Sequence, residues 1–218
     1  MVRNYAGNYA GIKGTCTEMK KSIVVGLTGG MGAGKSTAVS MIKKMVIPVF
    51  DSDEAVHRLM RDNAEMKAVF YRKFPQSLVN DQIDRSVLSA LIKDRRLDVR
   101  ELEKIIYPFL EQELQAFFAR HRFEPVVVLD VPLLFEAGWN RFCDRIIVLS
   151  APADVLKQRV FSRPGMTEQK YDALTARQMP DHEKCSKADY IIETQYGIEP
   201  VQNKLTEIME ELKCVKSF

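Results

Sequence analysis

The segment Gly29-Gly30-Met31-Gly32-Ala33-Gly34-Lys35-Ser36 matches G-x-x-x-x-G-K-[ST], and it limits the possible folds of the chain more than any other feature. Five of the chain's 11 glycines lie between Gly26 and Gly34. A loop of this kind turns with positive φ and presses its amides against phosphate oxygens, which leaves no room for a Cβ. Gly30, Gly32, Ala33 and Gly34 would offer those N–H groups, reinforced by the positive end of the helix that follows. Lys35 would reach the β- and γ-phosphates of ATP, and the Ser36 hydroxyl would ligate Mg²⁺. In a chain of this length a chance match is on the order of one in a hundred. The apolar run before it and the helix-forming run after it set it further apart from a glycine-rich turn that binds nothing.

Those flanks begin a longer alternation. Ser22–Thr28 reads as a buried parallel strand and Lys35 to about Met45 as a helix. Ile47–Phe50 reads as a second strand, stopping at Asp51-Ser52-Asp53. Four segments then carry apolar residues three and four apart: Asp53–Arg61, Glu65–Phe74, Asp84–Lys93 with Asp84 as N-cap, and Asp98–Arg120. Further strands are expected at Val126–Asp130, Arg145–Leu149 and Tyr190–Ile192, with helices at Ala153–Phe161 and Ile198–Lys213. Strands alternating with helices imply an α/β fold of P-loop kinase type, a parallel sheet flanked by helices. A single domain over 19–218 is expected, with a helical substrate-binding subdomain at about 54–122 and a lid at about 155–187.

Composition excludes several function classes. The net charge of +3 is too small to argue for nucleic acid or an anionic membrane, though it allows an anionic small molecule in a local pocket. Cys16, Cys143, Cys185 and Cys214 form no C-x-x-C pair, and His57, His121 and His182 lack ligand spacing. Reduced thiols in a cytoplasm fit best, with no zinc site. No run approaches the ~18 apolar residues that would span a bilayer. Residues 1–18, rich in Gly and Asn and without period, read as a disordered tail.

A P-loop alone does not separate kinases, GTPases and motors. No N-K-x-D motif for guanine occurs. A small kinase needs an acceptor site beside the cradle and a basic lid that keeps water from the phosphates. Asp51 and Asp53 follow the second strand at the carboxyl edge of the sheet, beside the P-loop. A carboxylate there could orient an acceptor hydroxyl and take its proton. Asp53 could equally be only the N-cap of the next helix, and the two roles can coexist. Asp130, ending the third strand on the same edge, could hold a Mg²⁺-bound water or be simply a polar strand end. Over residues 155–187, Lys157, Arg159, Arg163, Lys170, Arg177, Lys184 and Lys187 outnumber the acids, and Pro164-Gly165 breaks the helical run. That pattern suits a phosphate-clamping lid, with a solvated helix face as the plainer reading.

These residues together resemble the dephospho-coenzyme A kinase family from about Ser22 to Gly197. Val25 to Thr37 is similar to its P-loop with the leading L-T-G-G. Asp51-Ser52-Asp53 resembles its D-x-D, Ile83-Asp84-Arg85 its acceptor-side helix start, and Val131-Pro132-Leu133-Leu134-Phe135-Glu136 its P-L-L-F-E segment. Arg177-Gln178, Glu183-Lys184 and Ala188-Asp189 resemble its R-Q…E-K…A-D run. The resemblance implies that ATP, with Mg²⁺, phosphorylates the ribose 3′-hydroxyl of dephospho-coenzyme A, with no obligate protein partner. Asp53, Lys35 and Arg163 would then be catalytic. Thr37 and Arg159 would join the nucleotide set, Asp53, Arg85, Pro132 and Leu133 would meet the acceptor, and Ser36 and Asp130 would hold the metal. Two positions depart from the family pattern: Tyr107-Pro108 stands for its His-Pro, and Thr194 for an Asn near the adenine. A nucleoside or nucleoside-monophosphate kinase is the nearest alternative, and a nucleotide-binding regulatory protein a more distant one.

Overall fold

The computed structural model describes residues 22–215. The expectation for residues 1–18 lies outside them. Five parallel strands form the central sheet: β1 (Ile23–Gly29), β2 (Val49–Asp51), β5 (Val126–Asp130), β6 (Arg145–Ser150) and β7 (Tyr190–Glu193), in the order β2-β5-β1-β6-β7. All five stand where the apolar runs place them, so the fold class is that of a P-loop kinase sheet. β2 is shorter at its start than Ile47–Phe50 suggests, because Pro48 has no N–H for the ladder. Its carbonyl still accepts from Val128 N at 2.9 Å.

Side chains alternate across the sheet, and each face gathers its own core. Val24, Val127 and Leu129 face one way, and Val25, Leu27, Val126 and Val128 the other. The second face packs on α1 (Lys35–Lys44) and α9 (Ile198–Val215) through Ala38, Ile42, Leu205 and Ile208. The first face packs on α2 (Ser52–Asp62), α3 (Ala64–Lys73), α4 (Arg85–Lys93) and α5 (Val99–Arg120). Fully buried leucines such as Leu27, Leu129 and Leu149 each contribute about 1.5–3 kcal/mol by leaving water. Trp139, 1% exposed, stacks on Phe50 and meets Tyr107 edge-on, joining the sheet edge to α5.

Each helix of the first layer starts on an acid or amide that accepts from its own first turn: Asp51, Asn63, Asp84 and Asp98. The Asp84 cap agrees with the sequence, whereas the cap of α2 is Asp51, whose Oδ1 accepts from Glu54 N at 2.9 Å, and not Asp53. Pro108 lies inside α5, leaving the carbonyl one turn earlier without its helical donor. A two-stranded hairpin, β3 (Leu78–Val79) with β4 (Gln82–Ile83), interrupts the helical stretch. Its turn residues Asn80 and Asp81 have φ of 50° and 59°, the left-handed pair of a type I′ turn. Helical periodicity passes over a hairpin this short. The last stretch before β7 holds α6 (Ala153–Phe161), α7 (Glu168–Thr175) and α8 (Asp181–Cys185).

Candidate active site

The chain goes from β1 through α1 to β2 on the far side of β5, so β1 lies between β5 and β6 at the place where connections diverge. A crevice opens there at the carboxyl ends of the strands. The glycine loop lies in it. Gly32 has φ of 88°, and a Cβ on it would come within 2.7 Å of the Leu156 carbonyl oxygen on α6. Gly34, with φ of 86°, begins α1, whose first turn carries no acid. The positive end of that helix therefore stays uncompensated. The requirement for left-handed backbone falls on these two glycines within the loop, and Gly29 and Gly30 do without it. Ala33 N donates to Gly30 O at 3.0 Å and closes the turn. Met31 N donates to Gln178 Oε1 at 3.1 Å, so an acceptor oxygen from the segment between α7 and α8 already stands at one loop amide.

Register places the acids. Asp51 on β2 pairs with Asp130 on β5, and Asp130 pairs with Leu27 on β1. Lys35, the first residue of α1, reaches back to Asp130 Oδ1 at 2.6 Å. Asp130 is 5% exposed, and burial pushes its carboxyl above the ordinary range. Lys35 opposes that rise, while the charges of Asp51 and Asp53 add to it. Of these three carboxylates, Asp130 is the one in contact with the Lys35 ammonium. Ser52 Oγ donates to Asp130 O at 3.0 Å and holds the start of α2 against the strand end.

On the other side of the loop is a cavity of about 320 Å³ lined by Gly34, Thr37, Arg159, Arg163, Thr194 and Gly197, among others. Arg159 donates to Thr194 Oγ1 at 2.8 Å, to Thr194 O at 2.7 Å and to Gly32 O at 3.4 Å. Thr194, where the sequence departs from the family pattern, is therefore the anchor of Arg159. Arg163 shares this cavity and is not among the contacts of the acid cluster.

The acceptor-side expectations fall in two places. Arg85, the first residue of α4, hydrogen-bonds the His57 imidazole on α2. Pro132 O accepts from Thr28 Oγ1 at 3.2 Å, and Leu133 lines a second cavity of about 430 Å³ with Arg100, Tyr107, Glu136 and Arg177. Burial, then the neighbouring Glu103 charge, pushes the Tyr107 phenol up to about 12. At neutral pH it stays protonated and cannot act as a base. Glu136 holds the start of α8: its Oε1 accepts from Met179 N at 2.7 Å and lies 3.0 Å from the wholly buried Lys184 Nζ. The angle of that second contact makes it an ion pair without hydrogen-bond alignment. Arg177 pairs with Glu103 at 2.8 Å across the same cavity.

Sequence reasoning passed over His57 and Gln178 as site residues. His57 stands four residues after Asp53, so helical spacing could have found it. The position of Gln178 depends on how the segment between α7 and α8 folds back, and no local signal announces that.

A family model described as dephospho-CoA kinase matches residues 23–199. A dephospho-CoA kinase of Mesorhizobium japonicum is 44% identical over 193 residues, covering 88% of this chain and 97% of that protein. Another, of Novosphingobium aromaticivorans, is 37% identical over 195 residues, 89% and 97% of the two chains. The crystal structure of TT1252 from Thermus thermophilus superimposes with a TM-score of 0.76 at 30% identity, covering 88% of this chain and 99% of that one. A dephospho-CoA kinase from Campylobacter jejuni shares the fold, with a TM-score of 0.66 at 20% identity over 87% and 96%.

Proposed function

The chain belongs to the dephospho-coenzyme A kinase family, and from that premise we propose that it transfers the γ-phosphoryl group of ATP to the ribose 3′-hydroxyl of dephospho-coenzyme A, giving coenzyme A and ADP. The observation that carries this reading is the meeting of Lys35, Asp130, Asp51 and Asp53 at the mouth of the glycine loop. Phosphoryl transfer asks little covalent chemistry of a protein, and positioning and charge stabilisation supply the rate.

Lys35 leaves Asp130 for the β- and γ-phosphates, and the amides of Gly30, Gly32, Ala33 and Gly34 hold their oxygens. Ser36 and Asp130 would hold Mg²⁺: both offer oxygen donors beside the glycine loop, and Asp51 pairs with Asp130 on the neighbouring strand. Among the described residues no three acidic, histidine or cysteine side chains form a closed metal cage. That suits an ion bound mostly through phosphate oxygens and water. When bound, the ion neutralises charge on the β- and γ-phosphates. Asp53 orients the 3′-hydroxyl and takes its proton, and its freedom from capping leaves the carboxylate available. Thr37 and Arg159 line the nucleotide cavity, and Arg163 follows the transferring group as the segment at about 155–187 closes. Arg85, Pro132 and Leu133 face the acceptor, on a helical subdomain at about 54–122 and the loop after β5.

No helix among the described residues is long and apolar enough to cross a membrane. We place the reaction in the cytoplasm, and the three described cysteines, all free, agree with that setting. The test is mass spectrometry of purified protein with ATP, Mg²⁺ and dephospho-coenzyme A. Gain of one phosphoryl group by the acceptor is expected, with little turnover of AMP, CMP or nucleosides. Better turnover of a nucleoside monophosphate would move the assignment to the rival kinase class.

A further inference from the structure

Between Gly29 and Gly34, Met31 N is the one backbone amide that meets a side-chain acceptor among the described residues, Gln178 Oε1 at 3.1 Å. A backbone N–H can only donate, so the carboxamide turns its oxygen to the loop. Gln178 follows α7, and the residues around it are each fastened to a different element. Arg177 pairs with Glu103 on α5 at 2.8 Å, and Met179 N donates to Glu136 Oε1 in the loop after β5 at 2.7 Å. Asp181 Oδ2 accepts from Ser150 Oγ at the end of β6. The chain is therefore held on both sides of Gln178, and this half-buried side chain reaches the loop from a fixed base. The loop is held from its other side by α6. Arg159 donates to Gly32 O at 3.4 Å, and the Leu156 carbonyl oxygen would lie 2.7 Å from a Cβ on Gly32.

Met31 is not among the residues whose amides are assigned to phosphate, so occupying its N–H takes nothing from the nucleotide. Either a carboxamide or a carboxylate could serve as acceptor there. Glutamine supplies the oxygen without a charge, whereas a carboxylate would repel a polyphosphate in the same crevice. We infer that Gln178 is a positioning residue for phosphoryl transfer: its neutral oxygen fixes the Met31 end of the glycine loop, so the amides beyond it stand aligned before ATP arrives. Donors aligned in advance need no reorganisation when the phosphates bind. Gln178 acts through Met31 and touches no reacting atom. This rests on the reading of the glycine loop as the ATP-phosphate cradle.

Calorimetric binding of ADP with Mg²⁺ to the parent, Gln178→Met and Gln178→Glu tests it, with steady-state kinetics, thermal melting and exchange of the Met31 amide followed on the same proteins. Methionine keeps the length and removes the carboxamide, and glutamate keeps the acceptor and adds a charge. In Gln178→Met the Met31 amide should lose protection and ADP should bind about fivefold more weakly, the usual effect of one neutral hydrogen bond. KM for ATP should rise by a similar factor, and KM for the acceptor should stay within about twofold of the parent. Gln178→Glu should keep the Met31 amide protected and still bind ADP more weakly. Its deficit relative to the parent should shrink from about 0.05 to 0.5 M salt, and the methionine deficit should not. Melting shows that each variant is folded before binding is compared. Unchanged ADP affinity in Gln178→Met overturns the inference, since a merely structural contact would move melting alone. A glutamate deficit that salt leaves untouched overturns it as well. A parent protein that binds no ADP overturns the reading of the cradle itself, which is seen before any variant is compared.

Discussion

At Asp130 three forces act on one carboxyl. Burial and the carboxylates of Asp51 and Asp53 favour its protonated form, and Lys35 at 2.6 Å favours the charged form. The balance is upward from the ordinary value of 3.8. A carboxyl that binds its proton more tightly in the folded chain stabilises the fold below that ordinary value, and the contribution is lost as pH rises through the folded value. Asp130→Asn removes the titration. Compared with the parent, the variant should therefore gain stability between about pH 4 and neutrality, by about 1.4 kcal/mol for each unit of the parent's rise. Thermal melts of both proteins across that range measure it, and a difference that does not change with pH would mean Asp130 is not the group responsible. Turnover should fall in the same variant, since a neutral amide is a poorer partner for Lys35 and for a cation. The cluster itself was legible: strand ends carrying Asp in a parallel sheet must gather at one edge. Its charge balance was not, because burial and the reach of Lys35 depend on how α1 packs.

At the scale of one helix, α2 gives its cap to one of the two acids at its start and leaves the other uncommitted. Its cap is Asp51, through Glu54 N at 2.9 Å, while Asp53 lies in the first turn with no hydrogen bond to the helix end. Asp53→Asn should therefore change stability by less than about 1 kcal/mol, the size of a first-turn dipole effect. It should lower turnover by roughly 10²–10⁴-fold if the carboxylate takes the ribose proton. Asp51→Ala should lower stability by about 1 kcal/mol through the lost cap. Turnover and melting measured on the two variants decide the matter, and normal turnover in Asp53→Asn would remove its assignment as base. From the sequence alone Asp53 stood as the candidate cap, and the cap is Asp51. β2 runs through Asp51 and the helix starts at Ser52, which puts Asp51 at the cap position and Asp53 inside the first turn.

Over the whole molecule, Glu136 joins the loop after β5 to α8 and the residue before it, and the consequence of cutting that link depends on burial. Lys184 is wholly buried with the Glu136 carboxylate 3.0 Å away, so Glu136→Gln leaves a charge inside the protein without its counterion. That should cost ~3 kcal/mol or more. For a chain of this size it corresponds to a melting temperature lower by roughly 10 °C. Arg177→Ala breaks a half-exposed pair with Glu103 and should cost under about 1 kcal/mol. Equal losses in the two variants would show that burial of Lys184 does not govern the link. The sequence by itself determined the five strands, the phosphate loop and the helices that cover the sheet, because apolar periodicity, glycine and capping residues act over a few neighbouring positions. It could not determine that Lys184 is buried, that Gln178 meets Met31, or that Arg85 stands against His57. Those contacts join residues distant along the chain, and only packing of the helices and their connections on the finished sheet brings them within reach.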